Sequence, residues 1–157
     1  MRRFALCMLA CGLIAISAAV SAQTRKPGLW EVTTTMTFQQ PSGAAGSPHT
    51  TEVCVTREQL DKYGAITPQS AGCQVTNVTK KATSITADMV CTGRMDGKGA
   101  LEASWADADH ATTKVHFTGT MKVLTDSKPV EWTSNSSYTF KSADCGSVKP
   151  ADQTATH

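Results

Sequence analysis

The chain has 157 residues, with 15 Lys and Arg against 13 Asp and Glu, and 40% of its residues are hydrophobic. That length suits one domain with its own core and is too short for two ordinary ones. A formal net charge of only +2 shows no basic excess of the kind that counterion-release binding to nucleic acid needs, so no nucleic-acid partner is expected.

Residues Met1 to Ala22 have the form of a secretory leader. Arg2 and Arg3 open it, Phe4 to Val20 is an almost unbroken apolar run, and Val20-Ser21-Ala22 offers small residues to a signal peptidase. Cleavage is therefore expected after Ala22. The apolar run is short for a membrane span, and no stable span is expected once it is removed. Arg2 and Arg3 leave with it, which takes the 15 basic residues to 13 against 13 acidic ones. The chain then divides into a leader (1–22), a single β domain (23–145) and a disordered tail (146–157), with a periplasmic or secreted destination.

The first element after the leader has no helical period. Trp30, Val32, Thr34, Met36 and Phe38 fall at every second position, with Glu31, Thr33, Thr35 and Thr37 between them. A pleated strand puts the first set on one face and the hydroxyl-rich set on the other. Gln39 to Pro48, rich in Pro, Gly and Ser, reads as a loop. A short strand, Thr50 to Val55, follows. Thr56-Arg57-Glu58-Gln59 then has the form of a capping box and predicts one short helix from Arg57 to about Tyr63, with Leu60 and Tyr63 inward. Ile66 to Gly72 reads as a loop.

Five more strands complete the pattern. Cys73 to Lys81 is the least regular, because Val75 and Val78 fall on opposite parities; a bulge near Asn77 reconciles them. The other four are cleaner. Ile85, Ala87, Met89 and Cys91 share a face, as do Leu101, Ala103 and Trp105. So do Val115, Phe117, Gly119, Met121 and Val123, and finally Val130, Trp132, Tyr138 and Phe140. Turns are expected at Ala82–Ser84, Asp96–Gly99, Asp107–Asp109 and Asp126–Pro129. The sum is an all-β fold with one short helix, an antiparallel up-and-down meander of about seven strands. It buries its apolar face either as a closed lipocalin-like barrel or as a curled half-barrel covered by the helix.

Cys7 and Cys11 belong to the leader, leaving Cys54, Cys73, Cys91 and Cys145. Four cysteines in an exported chain read as two disulfides. Their wide separations lack the close ligand pairs of a structural zinc site. Cys73 and Cys91 fall almost opposite each other at the base of a predicted hairpin, which favours Cys73–Cys91 with Cys54–Cys145. The alternative is Cys54–Cys73 with Cys91–Cys145.

Taken in order, Pro27-Gly28-Leu29-Trp30-Glu31-Val32, then Cys54-Val55-Thr56 before a short helix, then Cys73, Cys91-Thr92-Gly93 and a final Cys145 resemble the domain-of-unknown-function 3617 family. These are small exported proteobacterial proteins. The resemblance covers nearly the whole exported chain, and the Gly-Leu-Trp-Glu start and the spaced cysteines are its most specific parts. Members often carry Gly just before the last cysteine, whereas here Asp144 precedes it and Gly146 follows. The resemblance implies export and brings no catalytic residues, because the family carries no established activity.

No constellation for catalysis stands out, and no enzyme activity, cofactor or metal is expected. His49, His110, His116 and His157 have no second ligand at metal spacing. Asp96, Asp107 and Asp109 lack the further oxygen ligands of a calcium loop. Ser134 to Ser137 has no glycine-flanked nucleophile turn, and Gly97-Lys98-Gly99 lacks phosphate-loop spacing. Glu31 and Glu131 would face each other if the first and last strands paired, as solvated residues of the outer face and not as an acid/base pair. The aromatic set is more suggestive. Trp30, Phe38, Trp105, Phe117, Trp132 and Tyr138 all fall on inward positions and form either a plain core or a ligand pocket. The expected function is non-catalytic binding of a small apolar ligand. The alternative is an envelope protein-protein interaction or inhibitor-type module with a fully packed core.

Overall fold

The computed structural model describes residues 25–40, 43–63 and 72–150. Residues 1–24, with the expected leader, 41–42, 64–71, with most of the expected Ile66–Gly72 loop, and 151–157, the last part of the expected tail, lie outside the described residues, as does the side chain of Tyr63. Strand β1 (Gly28–Gln40) is followed by β2 (His49–Val55) and helix α1 (Arg57–Tyr63). Then come β3 (Cys73–Lys80), β4 (Ser84–Cys91), β5 (Met95–Trp105), β6 (His110–Val123) and β7 (Asp126–Ser142). All seven strands form one antiparallel sheet in the order β2-β1-β7-β6-β5-β4-β3.

This is the cyclic order of an up-and-down barrel with one pairing missing. β1 joins β7, as closure requires, but β2 and β3 remain the two edges of the sheet. The connection between those edges carries α1, so the sheet is a curled half-barrel and not a closed one. The capping box forms as expected: the Thr56 N–H donates to Gln59 Oε1 (2.9 Å), and the Gln59 N–H donates to Thr56 Oγ1 (3.1 Å). Such a cap contributes about 1 kcal/mol to a helix this short. Leu60 is buried against the inner face of the sheet.

The irregular strand resolves through a bulge. β3 pairs Thr76 with Asp88 and next Thr79 with Thr86, so Asn77 and Val78 together oppose one residue of β4. Asn77 takes a left-handed backbone (φ 52°), and its side-chain amide donates to Asp88 Oδ2 at 2.8 Å. The extra residue brings Val78 to the same face as Val75, where it packs on the core.

Two expected turns are instead strand. Asp96 to Gly99 lies within β5, and the chain reverses earlier, at Thr92 to Arg94, where Gly93 has φ 108°. Gly97 and Gly99 face inward at a place where neighbouring backbone comes too close for a side chain; a Cβ on Gly99 would lie 2.6 Å from the His116 carbonyl oxygen. They are glycines of close approach, not of reversal. Asp126 to Pro129 is likewise the start of β7, and the turn is Leu124-Thr125, with Leu124 at φ 57° and almost fully exposed. Pro129 pairs with Thr120, beyond the last β1 partner of β7 at Glu131, so one of its sides has no strand to bond.

The loop after β1 begins later than expected, because β1 runs to Gln40. Residues 43–48 fold back on it: the Gly46 N–H donates to the Met36 carbonyl (2.7 Å) and the Phe38 N–H to the Ala44 carbonyl (3.1 Å). The disulfides are Cys73–Cys91, which joins directly opposed residues of β3 and β4, and Cys54–Cys145, which ties β2 to the segment after β7. Of the expected tail, residues 146–150 continue past that second bridge. The Val148 N–H donates to the Cys145 carbonyl, and Pro150 lies beside Cys54.

Candidate functional site

The aromatic residues proposed for a pocket do not share one cavity wall. Phe117 and Trp132 stack at 5.4 Å in a cluster with Ile85, Met89, Leu101 and Val130, with Phe38 packed against it. Trp30, Tyr138, Val32, Val55, Leu60 and Ala111 form a second cluster, with Phe140 edge-on to Trp30 at 5.4 Å. Trp105 touches both. Trp30 and Phe117 have no exposure at all. The indole N–H of Trp30 is satisfied by the Lys26 carbonyl at 3.1 Å.

A polar row explains part of the division. Thr34, Ser136 and Thr113 lie side by side on the inner face of β1, β7 and β6. Thr34 and Ser136 share a hydrogen bond at 2.8 Å, and Thr113 shares one with the Tyr138 hydroxyl at 3.2 Å. Each satisfies a group that would otherwise be costly inside an apolar layer.

A groove of about 590 Å³ lies on the other face. Register identifies its walls. One wall is the row Thr33, Ser137, Thr112, Ser104 and Ser84, successive partners across β1, β7, β6, β5 and β4. The opposite wall is Thr35, Asn135, Lys114, Glu102 and Thr86 on the same five strands. Its floor is the chain between the walls, at Ser136, Thr113, Ala103 and Ile85. None of the six aromatic residues expected to line a pocket lines this groove.

The first wall is a run of hydroxyls, one per strand. Thr50 on β2 extends it, joined to Thr33 at 2.9 Å, and Ser104 and Thr112 are joined at 2.9 Å. A hydroxyl both donates and accepts, so the row offers both senses of bond along its length. Its members recur at the strand spacing of about 4.8 Å. The second wall holds the only charges, Glu102 and Lys114, which stand opposite each other on β5 and β6 and cancel.

The remaining titratable candidates are dispersed. β1 and β7 do pair, but Glu31 lies opposite Thr139 and Glu131 opposite Gln40, so the two carboxylates sit far apart along the strands. Glu31 meets Lys141 at 3.5 Å, and Glu131 lies 3.6 Å from His116. Asp107 caps its turn as the acidic turn signal implied: Oδ1 accepts from the N–H groups of Asp109 and His110, both at 2.7 Å. Those bonds, led by the one from Asp109, hold its carboxyl below the ordinary aspartate range. Among the described residues, no three His, Cys, Asp or Glu side chains converge as a metal site, and no helix is long and apolar enough to cross a membrane.

The fold also buries a cation. Arg25 is only 4% exposed, with its guanidinium carbon 4.5 Å from the centroid of the Trp105 ring. Burial lowers its pKa to about 10, and the neighbouring Tyr138 opposes that shift. Burial also raises the Tyr138 pKa, against the hydrogen bond to Thr113. A lone Arg ahead of the first strand carries no periodic signal that would mark it as inward.

No curated protein and no solved structure gives a significant match to the chain. The model of one family does match, over residues 25–145, from the buried Arg25 to the last disulfide cysteine. That span holds the whole sheet, the helix and both disulfides, and the chain belongs to DUF3617, a family of proteins of unknown function.

Proposed function

We propose that this is an exported, non-catalytic binding protein whose outer groove holds an extended, uncharged polyhydroxyl chain, a glycan strand. The observation that carries this reading is the row of hydroxyls on five adjacent strands, from Thr33 to Ser84. A chain lying across the strands would meet a new hydroxyl at each strand step, a repeat close to that of an extended sugar polymer. The self-cancelling Glu102 and Lys114 disfavour a strongly charged partner. An apolar ligand needs apolar walls, and Ile85 and Ala103 are the only apolar residues among the groove's lining.

Export is supported by the leader-like start and by two disulfides, which persist in oxidising compartments. Hydrolysis of the bound chain is disfavoured because glycosidases place two carboxylates about the scissile bond, whereas Glu102 is the groove's single carboxylate.

The test is titration of the oxidised protein with a soluble β-1,4-linked N-acetylglucosamine oligomer, followed by amide chemical shifts. Saturable movement centred on Thr33, Ser104, Thr112 and Ser137 is expected, with a dissociation constant of about 1 mM, or roughly 4 kcal/mol. The double variant Ser104→Val with Thr112→Val should abolish it. Shifts elsewhere on the sheet, or none at all, would refute the groove as the binding surface.

A further inference from the structure

Arg25 and Trp105 present a second, independent feature on the inner face. The Arg25 Nη2 group and the Trp105 indole Nε1–H are both buried, and neither has a hydrogen-bond partner among the described residues. They belong to neighbouring side chains, because the guanidinium lies over the indole ring. Every acidic side chain of the sequence except Asp152 falls within the described residues, and the ion pairs among those residues leave Arg25 out. A buried cation and a buried N–H without acceptors are each costly, and unpartnered groups of this kind mark a place where an acceptor belongs.

We infer that Arg25 and Trp105 form the head-group site for a carboxylate with an apolar body, held on the inner face of the half-barrel. The chemistry of the donors selects the head. A guanidinium matches the two oxygens of a carboxylate, and the indole contributes one further donor. The surroundings select the body. Trp105 packs in the cluster of Trp30, Val32, Val55, Leu60, Ala111 and Tyr138, whose single hydroxyl, that of Tyr138, already bonds Thr113, so the surroundings offer apolar contact and few partners for extra oxygens. A dianion such as sulfate would leave oxygens unbonded against those side chains, whereas a carboxylate would not. This site does not rest on the outer groove; the two lie on opposite faces of the sheet.

The indole N–H resonance of Trp105 reads the site directly. The chain has three tryptophans, so a Trp105→Phe spectrum assigns the signal. Sodium octanoate is expected to move it saturably, while octanol and sulfate at the same concentration leave it in place. Arg25→Gln should weaken octanoate binding by about tenfold or more, the scale of one charge-assisted bond, with the fold checked by circular dichroism. An equal response to octanol, or no response to octanoate in the wild-type protein, would overturn the proposal. So would movement of the same signal in ligand-free Asp152→Asn protein, because the chain's own tail would then supply the acceptor.

Discussion

Gly97 on β5 and Gly119 on β6 stand opposite each other, each in the space the other's side chain would need. A Cβ on Gly97 would lie 2.6 Å from the Gly119 Cα, and one on Gly119 would lie 2.8 Å from the Gly97 Cα. The same Cβ on Gly97 would meet the Phe117 ring at 2.9 Å, so the pair also leaves room for the ring that stacks on Trp132. Gly119→Ala is therefore expected to destabilise the fold by about 1–3 kcal/mol, through overpacking against backbone. Urea unfolding with an unchanged m-value checks this, and a loss under about 0.5 kcal/mol would show that the two strands separate freely.

The two disulfides should differ in worth. Cys54–Cys145 spans 91 positions and Cys73–Cys91 spans 18. In the chain-entropy account these loops correspond to about 4.6 and about 3.2 kcal/mol. Replacing the first pair by Ala should cost more than replacing the second, and equilibrium denaturation of the two double variants gives the order. The reverse order would mean that native-state packing around Cys91, not chain entropy, dominates.

The bulge predicts a sharp sequence preference at Asn77. Its left-handed backbone suits Asn or Gly and strains a β-branched residue. Asn77→Ile should cost about 1–3 kcal/mol, while Asn77→Gly should be close to neutral. Deleting Asn77 should be worse than either, because it turns Val78 out to solvent. Melting temperatures of the three variants rank these effects.

Asp107 should give the turn between β5 and β6 an acid limit. Its folded-state pKa is depressed, chiefly by the Asp109 N–H and then by His110. The stabilisation is thus fully present above the ordinary aspartate pKa of about 3.9. It is lost as the pH falls through the lower, folded value. Asp107→Asn should flatten the acid limb of a stability-versus-pH curve. A carboxyl carbon that titrates at or above the ordinary value would contradict this.

Much of the architecture follows from local pattern alone. Alternation along Trp30 to Phe38 and along Val115 to Val123 dictates which side chains face inward, because a strand turns successive residues to opposite faces whatever its neighbours are. The conflict between Val75 and Val78 announces the bulge, Thr56 and Gln59 announce the helix, and the placement of Cys73 against Cys91 announces a hairpin base. Other features depend on residues distant in the chain. The reversals at Thr92–Arg94 and Leu124-Thr125 were masked by Gly97, Gly99 and Pro129, whose roles depend on how closely other strands approach. The row from Thr33 to Ser84 exists only through five strands in register, and register is settled by long-range pairing that no single segment encodes. Burial of Arg25 beside Trp105, and the gap between β2 and β3, likewise arise only when the sheet curls and brings its inner faces together.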